Sequence, residues 1–313
     1  MATFKPIDLS GLIDERKASS IKAQIAEACE KKSYFQVINH GVPIEIMEEL
    51  REVGHKFFDL SKEEKLAVAG KPYIGAEGYG NSMILTEPKF WREFLEVRIL
   101  PLSERRYKYW PQQPAEFRET VEKYSAAVLD LTHRLLAVMS ENLGLKPTYL
   151  RNAMGHTETQ QNIVFQCYPP CPEPENNFGL HAHSDIGGIS ILMQQGEGLQ
   201  VAAEDGTWEL VPPYPNALVV NLADQIEIIT NGRYKSAQHR AIVNRQGTRR
   251  SYVTFYHPAM DQKMFPAPQL VDAKVGPLYR EFFYKEYWHA LPAKRVIEKR
   301  LIHSFAINNS VSS

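Results

Sequence analysis

Apolar residues in the first 150 positions recur now at the helical period, now at the extended one. Ile21, Ile25, Ala28 and Cys29 fall on one face of a helix that Ser19 or Ser20 can cap. Ser33 to Ile38 reads as a strand running into the turn Asn39-His40-Gly41, and Pro43 opens a second helix carrying Ile46, Leu50, Val53 and Phe57. Ser61 followed by Glu64 is a capping box for a third. Four glycines between Gly70 and Gly80 fit neither a phosphate loop nor a dinucleotide fingerprint, so that stretch is expected to be a loop. Trp91 to Leu100 has the look of a strand. A long helix is predicted from about Pro114 to Leu143, with Phe117, Val121, Tyr124, Val128, Leu131 and Leu135 as its packing stripe and Gly144 to end it.

After residue 160 short β-prone runs follow one another between Pro and Gly clusters: Asn162–Tyr168, Ile189–Met193, Leu199–Val201, Trp208–Val211, Ala217–Leu222, Ile226–Ile229, Ser236–Asn244 and Ser251–Tyr256. Many short strands without helices between them predict a sandwich or barrel of the jelly-roll kind. Val275 to Leu291 is aromatic and predicted helical, and Asn308–Ser313 is expected to be disordered. With no repeat and no low-complexity linker, the expectation is one domain over 1–313: a mainly helical part over 1–150, a β core over 160–260 and a helical cover over 275–307.

Charge narrows the partners. Lys and Arg number 36 against 37 Asp and Glu, for a net charge of -1, which excludes affinity dominated by attraction to nucleic-acid phosphates or anionic lipid. No apolar run approaches the roughly 20 residues of a membrane helix, and the N-terminus lacks a basic segment followed by an apolar stretch. The 3 cysteines suit neither a disulfide framework nor a zinc site. A cytoplasmic monomer acting on a small molecule, bound to neither nucleic acid nor membrane, is expected.

Of the 10 histidines, His40, His55, His133, His156, His289 and His303 have no partners at ligand spacing and read as structural. Gly179-Leu-His-Ala-His-Ser-Asp185 is different. Strand residues two apart share a face, so His183 and Asp185 can point together into a barrel mouth. An imidazole and a carboxylate are two parts of a facial triad, and His239, in the later run Ser236–Asn244, supplies the third. Pairing His181 with His183 instead would displace Asp185. Further on, Arg249 and Ser251 share a strand face, and a guanidinium fork with a hydroxyl is what a buried carboxylate needs. Tyr168 could add a second hydroxyl.

These motifs carry a resemblance. FQVINHGV, CYPPCPEP, the HSD triplet with the distal His of NGRYKSAQHRAIVN, and RRS are together similar to the plant-type iron(II)/2-oxoglutarate-dependent dioxygenases, over nearly the whole chain. The resemblance implies an α+β fold with a double-stranded β-helix (jelly-roll) core and flanking helices. It implies Fe(II) on His183, Asp185 and His239, and the distal carboxylate of 2-oxoglutarate on Arg249 and Ser251 with help from Tyr168. It also implies dioxygen as the oxidant and ascorbate as the reductant. Gln166 stands where the family usually has Asn or Ser near the co-substrate, and Ala223 where it commonly has Gly.

Two subgroups compete for the substrate. ENLGLKPTYL, AHSDIGGI and FYHPAMDQKMFPAPQLV have the cadence of 1-aminocyclopropane-1-carboxylate oxidase, yet Val164 and His181 stand where that enzyme depends on basic residues. A buried substrate carboxylate would then lack a partner. The flavonoid oxidases, flavanone 3-hydroxylase and flavone synthase I, tolerate Val at that position, and VTFYHPAMD resembles theirs. Phe255 would be the ring on which a flat substrate stacks, and His181, with the parity of His183, would touch it.

Overall fold

Asp14, not Ser19 or Ser20, starts the first helix. In the computed structural model, which describes residues 5–70, 77–85, 90–203, 205–291 and 301–307, β1 (Ile7–Asp8) leads into α1 (Glu15–Lys31). The Asp14 carboxylate accepts the Arg16 N–H at 3.0 Å. An acidic cap followed by Glu15 also suits the positive end of the helix dipole. Ile21, Ile25 and Cys29 form the buried face. Next come β2 (Tyr34–Ile38) and α2 (Ile44–Phe58), which buries Met47, Leu50, Val53 and Phe57. The capping box opens α3 (Lys62–Ala67), with Ser61 Oγ accepting the Glu64 N–H at 3.2 Å.

Of the expected glycine loop, residues 71–76 lie outside those described. The rest is ordered differently: β3 (Gly78–Asn81) is a strand paired antiparallel with β4 (Glu93–Leu100), and α4 (Ser82–Leu85) lies between them. Gly78 takes φ +104°, and a Cβ there would meet the Val68 carbonyl oxygen at 2.5 Å, so the glycine permits close backbone approach. The long helix α5 (Phe117–Asn142) buries its predicted stripe, and α6 (Tyr149–Ala153) follows it.

The second half supplies β5 (Gln160–Tyr168), β6 (Phe178–His183), β7 (Ile189–Gln195), β8 (Leu199–Ala202), β9 (Trp208–Leu210) and β10 (Leu218–Leu222). After α7 (Asp224–Ile229) come β11 (His239–Ile242), β12 (Arg249–His257), β13 (Lys263–Met264), β14 (Phe282–Phe283) and α8 (Tyr284–Ala290). Three expectations are corrected. Ile226–Ile229 is helical rather than extended: every residue of α7 is buried, the polar Asp224, Gln225 and Glu227 included, so its sequence shows no amphipathic helical period. The strand expected over Ser236–Asn244 shrinks to β11. The helix expected over Val275–Leu291 shrinks to α8, because Pro277 cannot continue a helix and Phe282–Phe283 pairs with Lys263–Met264. Residues 292–300 and Asn308–Ser313, including the expected disordered tail, lie outside the described residues.

Eight strands form one sheet in the order β1-β2-β10-β7-β12-β5-β4-β3, and four form a second in the order β6-β11-β8-β9. Alternation sorts the large sheet's side chains. Leu95, Val97, Ile163, Phe165, Ile191, Met193 and Tyr252 point outward into a core shared with Leu50, Phe57, Val121, Leu131 and Leu135 of α2 and α5. Leu192, Val219 and Val253 point inward against Leu199, Val201 and Ala237 on the small-sheet side. Truncating a fully buried leucine in such a layer, Leu131 for instance, costs about 2–5 kcal/mol. The result is an α+β molecule with a jelly-roll core flanked by helices, whose inward face is left for polar chemistry at one end.

Candidate active site

The small sheet brings two histidines side by side. His183 ends β6, His239 begins β11, and the two are cross-strand partners with ring centroids 4.3 Å apart. Each ring is oriented by its own strand: Nδ1 of His183 lies 2.8 Å from the His181 carbonyl, and Nδ1 of His239 lies 3.1 Å from that of Ala237. Both Nε2 atoms are thereby left for a ligand. Burial, and then the neighbouring His239 ring, hold His183 below the ordinary imidazole range, so its lone pair is available at neutral pH.

Asp185 reaches the same point by another route than the shared strand face expected from its spacing. β6 ends at His183, and Asp185 lies in the turn that follows. That turn is pinned by α7, whose Asp224 and Gln225 N–H groups donate to the carbonyls of Asp185 and Gly187, each at 2.9 Å. Asp185 Oδ2 accepts the Ser190 hydroxyl at 2.7 Å, and Asn221 Nδ2 donates to Ser190 Oγ at 3.3 Å. Oδ1 then faces the two imidazoles, 3.6 Å from His183 Nε2 and 3.7 Å from His239 Nε2. The three ligand atoms lie within 4.8 Å of one another. Two imidazoles with engaged Nδ1 atoms and one carboxylate with its second oxygen held are the donor set of a non-haem iron(II) site. His181 does not join them; its ring lies between Phe90 and Phe178, at 5.0 and 5.1 Å.

The inward face of the large sheet supplies the opposite wall. β5 and β12 pair so that Tyr168 lies beside Arg249, Gln166 beside Ser251, Val164 beside Val253 and Asn162 beside Phe255. Arg249 is buried, its guanidinium is 5.0 Å from the Tyr168 ring centre, and its Nε has no hydrogen-bond partner. Among the described residues no carboxylate comes within ion-pair distance of it. A buried cation so placed is costly until an anion reaches it. Phe255 is half-buried and stacks on His257 with centroids 5.8 Å apart.

Several residues here escape sequence reasoning. Ser190 and Asn221 orient the metal-facing carboxylate but sit in apolar strands with no motif around them. Arg92, just before β4, is buried over the Phe94 ring at 5.0 Å and donates to Gln166 Oε1, which also accepts the Tyr168 hydroxyl at 2.8 Å. The longer Gln166 side chain thus ties a second buried cation to the wall. Glu96 of β4 is buried on the same face, accepts Asn162 Nδ2 at 2.6 Å, and is pushed by burial up to about 7. Alternating charges in a strand suggest a solvated face; here that face lines the interior.

Comparison with known proteins agrees with the geometry. The 2OG-Fe(II) oxygenase superfamily model matches residues 159–258, and the N-terminal model of the non-haem dioxygenases in morphine synthesis matches residues 5–116. Jasmonate-induced oxygenase 4 of Arabidopsis thaliana is 38% identical over 288 residues, covering 90% of this chain and 81% of that protein. The Arabidopsis thaliana flavonol synthase/flavanone 3-hydroxylase is 37% identical over 287 residues, covering 90% of this chain and 83% of that protein. The crystal structure of JOX2 in complex with 2OG, Fe and JA superposes with a TM-score of 0.88 at 35% identity, covering 97% of this chain and 89% of the other. Relatives alike over nine-tenths of the chain, and a donor set made for iron, place it in the plant-type 2OG-Fe(II) oxygenase superfamily, as an Fe(II)- and 2-oxoglutarate-dependent dioxygenase.

Proposed function

We propose that the enzyme hydroxylates or desaturates a small aromatic specialised metabolite, with a flavanone as the best candidate. The observation that carries the reading is the patch formed by Val164, Val253 and half-buried Phe255, which offers a flat ring an apolar face on the wall that also bears Arg249. A relative named flavonol synthase/flavanone 3-hydroxylase supports it.

In this reading Arg249 and Ser251 receive the distal carboxylate of 2-oxoglutarate, with Tyr168 beside them and Gln166 next in the row. Bound iron and 2-oxoglutarate couple decarboxylation of the co-substrate, to succinate and carbon dioxide, with oxidation of a substrate C–H bond by dioxygen. The chain's own residues do the rest. His183, Asp185 and His239 hold the metal on one side, the Ser190–Asn221 relay fixes the carboxylate, and Phe255, Val164 and His181 position the substrate and exclude water. Arg92 favours a second reading. It is a buried cation on the segment just before β4, tied to Gln166, so an acidic metabolite, the cyclopropane amino acid among them, would also find a partner.

The test is anaerobic reconstitution with iron, 2-oxoglutarate, ascorbate and naringenin, then mass spectrometry after admitting oxygen. A product two mass units lighter is a flavone, and one sixteen heavier is a hydroxylated flavanone. Succinate without a flavonoid product would discard the flavanone and send the acidic substrates forward. A cytosolic monomer that binds no nucleic acid is the accompanying proposal, supported by the balanced charge and three buried thiols; light scattering on a sizing column tests the monomer.

A further inference from the structure

The inward row of β4 reads Phe94, Glu96, Arg98, with Arg92 just before it, and the register sets Glu96 beside Val164 and Arg98 beside Asn162. Asn162 is in turn the cross-strand partner of Phe255. Glu96 and Asn162 therefore border Val164 and Phe255, two of the residues that the aromatic reading assigns to the substrate.

We propose that Glu96, held by Asn162, is a substrate-binding residue that accepts a hydrogen bond from a hydroxyl group of the aromatic substrate, an inference that rests on the reading above. Asn162 Nδ2 donates to Oε1 at 2.6 Å and fixes the carboxyl plane. The other oxygen makes no hydrogen bond to a described residue. Neither neighbouring arginine hydrogen-bonds the group, although both charges favour its ionised form: Arg98 pairs with Glu104 and Arg92 donates to Gln166. Glu77, the other acid close by, is paired with Arg106. An acceptor on so nearly buried a side chain gives up water when a ligand enters and keeps a hydrogen bond there only if the ligand brings an N–H or O–H. Arg92, which has no carboxylate partner among the described residues, disfavours a protonated amine here, and a hydroxyl is the donor that the aromatic substrate proposed above carries. Burial that pushes Glu96 up to about 7 does not remove the site, because either protonation state keeps an oxygen able to accept. Among the described residues Glu96 makes one hydrogen bond, to another side chain of the same wall, so it ties together only strands already paired.

The test compares matched pairs with and without hydroxyls, naringenin against unsubstituted flavanone and 4-hydroxycinnamate against cinnamate, by succinate release from the iron- and 2-oxoglutarate-loaded enzyme. In the wild type the hydroxyl-bearing member should be preferred. In Glu96→Leu the ratio of kcat/KM values, hydroxylated over unsubstituted, should fall on the order of 10- to 100-fold, while Glu96→Gln, whose one oxygen stays with Asn162 and which turns an amide N–H toward the ligand hydroxyl, should restore it only in part. A ratio unchanged in Glu96→Leu, with both members reduced alike, would mean a structural role and overturn the proposal. Preference within the cinnamate pair but turnover of neither flavanone would remove the flavanone reading and leave Glu96 to be decided on the cinnamates. No preference in either pair, absence of turnover included, would also overturn it. Co-substrate binding by each variant, followed anaerobically, certifies its fold.

Discussion

Glu96→Gln should make the protein more stable, by an amount that depends on pH. The substitution keeps the shape of the side chain and, with its amide suitably turned, an oxygen for Asn162 Nδ2; it removes only the titration. Burial raises the carboxyl from an ordinary 4.5 to about 7. The folded state therefore holds this proton more tightly than the unfolded one, and the sign follows. Below pH 4.5 both states are protonated and the residue carries no penalty. As pH rises from 4.5 to 7 the unfolded chain ionises first and the wild type loses stability, and above 7 the loss is complete. At 1.36 kcal/mol per pKa unit, the gap of about 2.5 is worth roughly 3 kcal/mol. Unfolding entropy of about 2.1 cal/mol/K per residue converts that to roughly 4–5 °C in Tm for a chain of this length. The assay is a set of paired melting curves from pH 4.5 to 8.5, at one iron concentration, so that every other titrating group cancels between the two proteins. The variant should draw level with the wild type at the acid end and melt higher at pH 8. A constant difference across the range would refute the reasoning, because it would mean that Glu96 ionises in the fold as it does in water.

Ser190→Ala removes the hydroxyl bonded to Asp185 Oδ2 and should weaken Fe(II) binding about 10- to 100-fold, read by competition with a chelating dye; unchanged affinity would dismiss the relay. His183→Ala or Asp185→Ala should abolish turnover, and full activity in either would remove the metal assignment. Arg249→Ala should raise the KM for 2-oxoglutarate at least about 30-fold, with a much smaller effect on the aromatic substrate, as steady-state kinetics in both substrates will show. Gly198→Ala sets a Cβ 2.7 Å from Arg249 Cδ and 2.9 Å from the Ile242 carbonyl oxygen at φ +141°, so it should cost about 1–3 kcal/mol in denaturant melts and raise the same KM.

The metal triad is legible in the sequence because its members are chemically rare together: a histidine and an aspartate two apart, then a histidine in a later β-prone run. The reason for their convergence is not legible. Strand parity suffices to group His183 with Asp185, yet the aspartate arrives through a turn held by α7, a helix whose wholly buried sequence reads as a strand. Arg249, Ser251 and Tyr168 are legible by parity alone, since β5 and β12 are long and regular. Arg92 and Glu96 are hidden for the opposite reason. Their alternation with Leu95 and Val97 is that of a half-solvated strand, and only the position of β4 beside β5 reveals that the polar side faces inward. α1 shows the same limit at smaller scale, where several residues can cap and only the fold selects Asp14.

β5 and β12 pair without a break over the run from Arg249↔Tyr168 to His257↔Gln160. Inserting or deleting a single residue in either would transpose two populations, turning Arg250 and Tyr252 toward the chemistry and Arg249 and Ser251 toward the helices. Lineages built on this ladder can therefore change length only in its connections, such as residues 243–248. On the strands themselves they can only exchange one side chain for another in place. New substrates are reached by repainting this wall, since it cannot be moved.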